Sequence, residues 1–352
     1  ASPTPFPSPL TSAPPNRLTS ARSLPSFLAS RPMAFAILAQ QPAWALALAA
    51  VGLIVATRAA VLLALWFYAA FLRPGKPLRA RYGAWAVVTG ATDGIGRAIA
   101  LELAAAGLGV VLVGRNPDKL AKVAAEVKAR RPGAETRTFV IDFAADGLAE
   151  NVAALAESVR DLEVGVLVNN AGLCYPYARY FHEVDEKLAR DLIALNVEQV
   201  TRLTHALMPG MVRRKRGAVV NIGSGAATIL PSDPLYTVYA ATKAYVDQFS
   251  RSLYVEYKNM GIDVQCQAPM YVATKMASIR NATLLAPSPE TYARASVRYI
   301  GYEPRCTPHW AHGVVWYLFS IVPEPLVDRY LLGMSLFIRE KGRAKEARKK
   351  SM

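Results

Sequence analysis

Between residues 84 and 267, short and continuously apolar segments alternate with longer segments of helical periodicity. The apolar segments predict β-strands at 84–89, 109–114, 135–141, 164–168, 217–222 and 262–267. Patterns typical of helices lie between them, at 95–106, 118–129, 148–158 and 186–207. Strands without polar alternation are typical of a sheet that is covered on both faces. The alternation of strand and helix therefore predicts an α/β fold with a doubly wound parallel sheet.

A different pattern occupies the N-terminal region, which is apolar from Ala34 to Leu72 except at Gln40, Gln41, Pro42, Thr57 and Arg58. A membrane-spanning helix needs about 20 such residues, and the stretch lacks the polar face of a soluble surface helix. We therefore predict a membrane anchor at 33–75. Two arrangements fit the pattern: one long, tilted helix that contains Arg58, or a span that ends near Arg58 and continues as an interfacial helix.

Residues 1–32 are rich in proline, serine and arginine, and they are predicted to be disordered. Their lack of acidic residues is also typical of an organelle transit peptide. We favour a start at Met33, with 1–32 as a leader, because the apolar segment follows Met33 directly. The predicted organisation is a leader (1–32), an anchor (33–75), a folded domain (80–305) and a C-terminal extension (306–352).

The net charge of +15 is concentrated outside the predicted folded domain. No acidic residue precedes Asp93, and the tail from Arg339 onwards is strongly basic. A nucleic-acid-binding domain carries its basic residues on the fold itself, so no nucleic acid is expected as a partner, and an anionic membrane surface is favoured. A basic cluster directly after the anchor predicts that the domain faces the cytosol; it consists of Arg73, Lys76, Arg79 and Arg81. The cysteines and histidines show no spacing that predicts a metal site.

The first predicted strand runs into a glycine-rich turn, and a predicted helix follows. The first glycine allows the tight turn, the second lets the backbone approach a pyrophosphate, and the third permits close packing of helix and strand. The helix N-terminus then offers its free N–H groups to the phosphates. This pattern predicts a Rossmann-type dinucleotide site, whose residues are Gly90, Thr92, Asp93, Gly94, Ile95 and Gly96.

The end of the second predicted strand indicates which dinucleotide binds. This strand ends in Gly114-Arg115-Asn116, without an acidic residue. An acidic group at this point would accept the ribose 2′-hydroxyl of NAD, whereas an arginine accommodates the 2′-phosphate of NADP. The sequence therefore predicts NADPH as the cofactor, with Arg115 at the phosphate. The alternative is that Arg115 is a solvated loop residue.

A tyrosine and a lysine carry the candidate chemistry. Tyr239 and Lys243 are four residues apart in a predicted helix, so they share one face. A phenol has a pKa of about 10, and a neighbouring ammonium lowers that pKa by favouring the phenolate. The segment Asn169-Asn170-Ala171-Gly172 follows the fourth predicted strand. Each of these motifs alone is common, but their combination with the glycine turn is highly specific and is not expected by chance.

On these motifs the sequence resembles the short-chain dehydrogenase/reductase superfamily from about Ala84 to Met276. The resemblance implies that Tyr239 is the general acid and that Lys243 tunes it and holds the nicotinamide ribose. It further implies that Ser224 hydrogen-bonds the substrate carbonyl and that Asn196 supports a proton-relay water. The other cofactor contacts that it implies are Asp142 at the adenine, then Asn170, Ala171 and Gly172, and finally Pro269, Val272 and Thr274.

Two positions depart from the family pattern. Met270 follows Pro269 where the family usually has glycine, which is typical of a subfamily variant. The spacing between Ser224 and Tyr239 is slightly longer than usual. Ser232 is therefore kept as a weaker candidate for the catalytic serine.

Further features resemble very-long-chain 3-oxoacyl-CoA reductases, in particular their plant branch. These features are the anchor ahead of the glycine turn and the segments 223–227 and 269–276. The resemblance implies NADPH-dependent reduction of a long-chain 3-oxoacyl-CoA in microsomal fatty acid elongation, with other elongase-complex subunits as partners. Lys349 and Lys350 resemble the dilysine retrieval signal of endoplasmic reticulum membrane proteins.

Two other functions are compatible with the same residues. One is a 17-beta-hydroxysteroid or other lipid ketone reductase, and the other is a non-catalytic scaffold of the elongation complex. Two apolar segments of the C-terminal extension, 314–322 and 331–338, are too short to span a membrane. Three roles fit these segments: covering an acyl tunnel, docking on the membrane, or forming a homodimer.

Overall fold

The computed structural model describes residues 41–351, so the predicted leader and the first part of the predicted anchor lie outside the described residues. The chain divides between Phe67 and Tyr68 into two compact units. In the first unit the described residues form one helix, α1 (Ala43–Phe67). All the other helices and strands belong to the second unit.

Helix α1 continues as a π-helical turn, Tyr68–Leu72, and together they form an apolar helix of 30 residues. Its most apolar 18-residue window has a mean hydropathy of 2.3. The whole helix is about 45 Å long, which exceeds the roughly 30 Å of a bilayer's hydrocarbon core. Within residues 41–351 it is the one helix that is long and apolar enough to cross a membrane. It runs through Arg58 without a break, as an arrangement with one long helix requires.

The second unit contains a seven-stranded sheet in the order β3-β2-β1-β4-β5-β6-β7, and every pairing in it is parallel. The strands are β1 (Trp85–Thr89), β2 (Gly109–Gly114), β3 (Thr136–Val140), β4 (Val164–Asn169), β5 (Gly217–Ile222), β6 (Ile262–Gln267) and β7 (Arg305–Cys306). The strand order reverses between β1 and β4. In such sheets ligands bind at the carboxyl ends of the strands beside this reversal.

The helices of the second unit connect these strands. They are α2 (Leu78–Tyr82), α3 (Gly94–Ala105), α4 (Pro117–Arg130), α5 (Leu148–Ser158), α6 (Glu186–Ile193), α7 (Gln199–Arg214), α8 (Gly225–Thr228), α9 (Thr237–Tyr257), α10 (Pro289–Tyr299), α11 (Trp310–Ile321) and α12 (Glu324–Lys350). Three short turns complete them: a π-helical turn at Ala194–Glu198, and 3₁₀ turns at Phe181–Glu183 and Lys258–Met260.

Two apolar layers form the core, one on each face of the sheet. Alternate residues of a strand enter different layers: Ala86 and Val88 of β1 join one, and Val87 joins the other. The first layer also contains buried residues of α3, α4 and α10, and the second contains residues of α5 and α7 together with the partly buried end of α9. The predicted doubly wound α/β fold is thus confirmed.

The agreement between pattern and structure extends to the strand limits. Each of the six predicted strands is present, with limits that match to within one residue. Strand β7 has only two residues, which is too short for a periodic signal, and it was not predicted. The helix predicted at 186–207 is interrupted by the π-helical turn. This turn was not predicted, because hydrophobic periodicity does not distinguish a π-turn from an α-turn.

The segment after the anchor is fixed to the domain by a cluster of cations and aromatic rings. The guanidinium of Arg73 lies over the rings of Tyr299 and Tyr302, at 4.7 and 3.9 Å from their centroids. It also forms an ion pair with Glu303. Lys76 donates a hydrogen bond to the carbonyl oxygen of Gly301. Arg73 and Lys76, from which the cytosolic orientation of the domain was predicted, therefore also fix the segment after the anchor to the fold.

A close backbone approach at β4 gives a test of this packing. A Cβ atom on Gly165 would lie 2.5 Å from the amide nitrogen of Gly83, where only backbone could move away. Gly165→Ala is expected to destabilise the chain by about 1–3 kcal/mol, measured by chemical denaturation in detergent. The matched control is Gly333→Ala in α12, where a Cβ would meet nothing within 4 Å. A variant at Gly165 as stable as the control would contradict the packing described.

Candidate active site

The glycine turn forms a cradle at the carboxyl end of β1. Gly90 has a φ of +64° and Gly94 a φ of +53°, both in the left-handed region that favours glycine. A Cβ on Gly90 would lie 2.9 Å from Nδ2 of Asn170, and one on Gly96 would collide with the carbonyl group of Gly90. Asp93 caps α3 by accepting a hydrogen bond from the Gly94 N–H at 2.8 Å. The cradle fits a dinucleotide pyrophosphate at the α3 N-terminus.

The segment after β4 is locked to this turn. The side-chain amide of Asn170 donates hydrogen bonds to the carbonyl oxygens of Thr89 and Gly90, at 3.0 and 3.3 Å. The hydroxyl of Thr89 accepts bonds from the N–H groups of Asn170 and Ala171, each at 3.0 Å. Thr89, which the sequence analysis did not single out, therefore holds both cofactor segments in register. Its position at the end of the strand, directly before Gly90, was the sequence feature from which a role in the site could have been predicted.

The segment after β6 closes the other side of the cradle. A Cβ on Gly94 would lie 3.3 Å from Cγ2 of Thr274. The ammonium of Lys275 is 2.5 Å from a carboxylate oxygen of Asp93. Pro269 accepts a hydrogen bond from the Gly225 N–H at 2.7 Å, and Val272 is buried. The residues predicted here therefore border the glycine turn and the helix that follows Ser224.

Two predicted cofactor residues lie at exposed strand ends. Arg115 follows β2, and its side chain is exposed. Within residues 41–351 its guanidinium has no hydrogen-bond or ion-pair partner, so its charge is available to an anion. Asp142 follows β3, is also exposed, and accepts a hydrogen bond from the Ala144 N–H at 3.0 Å.

Lys243 is the buried cation of the site. It lies on α9, its side chain is 7% exposed, and its ammonium donates a hydrogen bond to the carbonyl oxygen of Ile222, the last residue of β5, at 2.8 Å. Burial lowers its pKa to about 8. A Cβ on Gly172 would lie 3.5 Å from the Lys243 ammonium, so the glycine leaves room for the lysine. The ammonium is thus surrounded by the ends of β4 and β5.

Tyr239 lies one turn before Lys243 on the same helix. Burial raises the pKa of its phenol above the ordinary value of 10, and a side-chain hydrogen bond with Ser224 acts in the opposite direction. Ser224 is buried and caps α8, where its hydroxyl accepts a bond from the Ala226 N–H at 3.2 Å. The hydroxyl of Ser232 instead donates to a carboxylate oxygen of Asp328 at 2.5 Å. The structure therefore brings Ser224, and not the weaker candidate Ser232, to Tyr239.

Asn196 lies in the π-helical turn between α6 and α7 and is fully buried. Its amide nitrogen donates to the carbonyl oxygen of Leu173 and to the hydroxyl of Thr242, both at 3.0 Å. Its carbonyl oxygen accepts from the Leu173 N–H at 2.9 Å. The side chain therefore ties the segment after β4 to α9, next to Lys243. Single π-turns of this kind are frequent at functional sites.

Further titratable groups near Tyr239 were not predicted from the sequence. Burial raises the pKa of Asp233 to about 7 and that of the Cys174 thiol to about 12. Both groups, together with Tyr271, influence the pKa of Tyr239. These residues come from separate loops and share no spacing pattern, so no sequence signal grouped them. Within the described part of the chain, no cluster of three metal-binding side chains is found.

Such an arrangement suits proton transfer to a carbonyl oxygen. A phenol kept protonated by burial, a serine hydroxyl beside it and a buried ammonium one helical turn away can donate a proton and stabilise a developing alkoxide. The glycine turn and the segment after β4 lie at the same edge of the sheet, where dinucleotides bind in folds of this kind. The fold and site together define a class of nucleotide-dependent oxidoreductases.

Comparison with known proteins agrees with this class. The family model described as short chain dehydrogenase matches residues 84–284. The chain therefore belongs to the short-chain dehydrogenase family.

Several relatives match most of the chain. A very-long-chain 3-oxoacyl-CoA reductase-like protein of Arabidopsis thaliana is 49% identical over 275 residues, 77% of this chain and 87% of that protein. The very-long-chain 3-oxoacyl-CoA reductase of Rattus norvegicus is 41% identical, covering 74% of this chain and 82% of that protein. A human protein named inactive hydroxysteroid dehydrogenase-like protein 1 is also 41% identical, over 69% of this chain and 74% of its own length.

A solved structure supports the same fold. The short-chain dehydrogenase from Sphingobium yanoikuyae in complex with NADPH matches with a TM-score of 0.57 and 27% identity. The match covers 68% of this chain and 96% of that one.

Removing the buried ammonium is expected to change how stability depends on pH. Burial holds the pKa of Lys243 at about 8 in the folded chain, below its ordinary 10.5, so unfolding takes up a proton between these values. The stability of the cofactor-free native chain should therefore rise relative to that of Lys243→Met as the pH increases from about 8 towards 10.5, and stay at a constant offset below this window. Chemical denaturation in detergent across this range measures the difference. A difference that falls with increasing pH would contradict the burial of the charged group.

Proposed function

We propose that this chain is an NADPH-dependent reductase that converts long-chain 3-oxoacyl-CoA to 3-hydroxyacyl-CoA in fatty acid elongation. The single observation that carries this proposal is the convergence of Tyr239, Lys243, Ser224 and Asn196 beside the glycine cradle. The names of the relatives that match three quarters of the chain support the acyl-CoA substrate. Solved relatives that hold NADP or NADPH support the cofactor.

When bound, NADPH supplies a hydride, which is transferred to the C3 carbon of the acyl chain. We assign the delivery of the matching proton to Tyr239, whose phenol is protonated at neutral pH and whose pKa is raised further by burial. Ser224 donates a hydrogen bond to the same carbonyl oxygen and stabilises the charge that develops there. The products are a 3-hydroxyl group and the oxidised cofactor, so one hydride and one proton are consumed for each ketone.

Lys243 and Asn196 act behind Tyr239. The ammonium of Lys243 favours the phenolate that remains after proton delivery, and it would hold the nicotinamide ribose of a bound cofactor. Asn196 uses its side-chain amide to fix Leu173 and Thr242, so we assign it the positioning of α9 next to the proton-relay path. The proposed cofactor cradle consists of two segments, the turn after β1 and the segment after β4. Its residues are Gly90, Thr92, Asp93, Gly94, Ile95 and Gly96, with Asn170, Ala171 and Gly172. Pro269, Val272 and Thr274 would contact the nicotinamide part of the cofactor, and Asp142 would contact its adenine part.

A membrane location suits the proposed substrate because a long acyl chain partitions into lipid. The apolar helix Ala43–Leu72 provides the anchor. We propose the endoplasmic reticulum membrane, with the catalytic domain facing the cytosol, on the basis of the basic cluster after the anchor and of Lys349 and Lys350. Other elongase-complex subunits are proposed as partners, and a homodimer is compatible with the same sequence features.

Removal of the phenolic hydroxyl tests the catalytic assignment. Tyr239→Phe should lower the rate of NADPH oxidation with a long-chain 3-oxoacyl-CoA by about 10²–10⁴-fold, the usual contribution of general acid catalysis. NADPH binding, measured by fluorescence, should be unchanged. The matched control is Tyr245→Phe, which removes another hydroxyl from α9, bonded to Thr201 at 2.8 Å. Equal turnover by the two variants would exclude Tyr239 as the acid.

The same assay separates the competing functions. A 17-ketosteroid is offered in parallel, and turnover of the steroid alone would place the chain among hydroxysteroid dehydrogenases. NADPH binding by the native chain without turnover of either substrate would favour the non-catalytic scaffold.

Charge reversal after β2 tests the cofactor assignment. Arg115→Asp should raise the KM for NADPH and lower that for NADH, because an acidic group repels the 2′-phosphate and accepts the ribose 2′-hydroxyl. The matched control is Lys119→Asp, a charge reversal at an exposed position of α4. If the ratio of the two KM values changes equally in both variants, Arg115 does not contact the phosphate.

A further inference from the structure

Two consecutive helices near the C-terminus expose large apolar side chains. We define the outer apolar stripe as Tyr317, Leu318 and Ile321 of α11 with Leu326, Tyr330 and Phe337 of α12. Each of these side chains is between 52% and 65% exposed. Apart from the adjacent Tyr317 and Leu318, neighbouring members within each helix lie three, four or seven residues apart, so they share a helix face. A cluster of exposed apolar side chains of this size marks a surface that is covered by other apolar groups, such as those of a membrane or a partner protein.

The opposite face of α12 is fixed to the domain. Val327, Leu331 and Ser335, each four residues from the next, are buried. The carboxylate of Asp328 accepts the Ser232 hydroxyl, and Glu346 accepts the Tyr177 hydroxyl at 2.5 Å. These contacts set the rotation of α12 about its own axis, so its part of the outer apolar stripe cannot turn inwards without breaking them.

The contact at the start of α11 indicates that the apolar groups that cover this surface are those of a membrane. Trp310, the first residue of α11, packs on Phe71 with a centroid distance of 6.0 Å. Phe71 belongs to the last turn of the 30-residue apolar helix. The carbonyl oxygen of Ala70, in the same turn, accepts a hydrogen bond from Arg298 of α10. Helix α11 therefore begins at the point where the anchor ends, and only Val322 and Pro323 separate it from α12.

The charge of α12 agrees with a lipid surface. Its last turns carry exposed basic side chains at Lys341, Arg343, Lys345 and Arg348. An apolar stripe that continues into a basic end is typical of helices that lie in the interface of an anionic bilayer. The ammonium of Lys341 lies 4.1 Å from the ring centroid of Phe337, which joins the two parts.

We propose that the outer apolar stripe and the basic end of α12 dock on an anionic bilayer, as a second attachment beside the anchor helix. The sequence left three roles open for the C-terminal apolar segments: covering an acyl tunnel, docking on the membrane and forming a homodimer. We choose membrane docking, for which the exposed apolar face of these helices provides the contact surface. The proposal does not depend on which ketone is reduced.

Site-specific fluorescence on the full chain tests the docking. Tyr330→Cys is labelled with an NBD fluorophore and reconstituted into phosphatidylcholine vesicles with or without phosphatidylserine. The matched control is Val255→Cys, a 75% exposed apolar position on α9. Background labelling is low because Cys266 and Cys306 are buried and burial raises the pKa of Cys174 to about 12. The unsubstituted chain, labelled in parallel, measures this background.

The expected result is that lipids carrying a doxyl quencher reduce emission several-fold more at position 330 than at position 255. This quenching should be stronger with phosphatidylserine, and it should weaken when Lys341, Arg343 and Lys345 are changed to Gln. Equal quenching at the two positions would overturn the proposal. A label at 330 that is shielded from both the lipid quencher and aqueous iodide would also overturn it, because a second copy or another protein would then cover the stripe.

Discussion

The burial of one ammonium group at the carboxyl edge of the sheet is the constraint on which the rest of the site depends. Lys243 is held at the end of β5 by a single carbonyl group, and burial lowers its pKa from 10.5 to about 8. At neutral pH this corresponds to roughly 3 kcal/mol of unfavourable desolvation, since each pKa unit is worth about 1.4 kcal/mol. Fixed hydrogen bonds of the lysine and of the neighbouring segments hold it in this position, one helical turn from Tyr239.

Those fixed contacts link every segment that the site requires. Asn196 joins Leu173 to Thr242 on the lysine's own helix, and Thr89 joins the glycine turn to the segment after β4. A shift of α9 would therefore disturb the cofactor cradle as well as the proton donor. This coupling explains why the fold buries so many polar side chains at one edge of an otherwise apolar sheet.

The sequence predicted the sheet, the glycine turn and the helix with Tyr239, because each has a local pattern of apolar spacing or glycine positions. It did not predict the π-turn at Asn196, since the apolar spacing along the predicted helix did not distinguish a π-turn from an α-turn. Asp233 and Cys174 were also missed, because their proximity to Tyr239 arises from loops that only the tertiary fold brings together. The choice between Ser224 and Ser232 likewise required the contact of Ser232 with Asp328 in α12.

Transfer of deuterium from cofactor to product tests directly whether the chain reduces the C3 ketone with hydride from NADPH. The native chain in membranes is given NADPH deuterated at the transferable C4 position together with a long-chain 3-oxoacyl-CoA, and the product is analysed by mass spectrometry. One deuterium is expected at C3 of a 3-hydroxyacyl-CoA, and this product should be lost in Tyr239→Phe. Unlabelled 3-hydroxyacyl-CoA, or labelled product that is formed equally by Tyr239→Phe, would contradict the proposed mechanism.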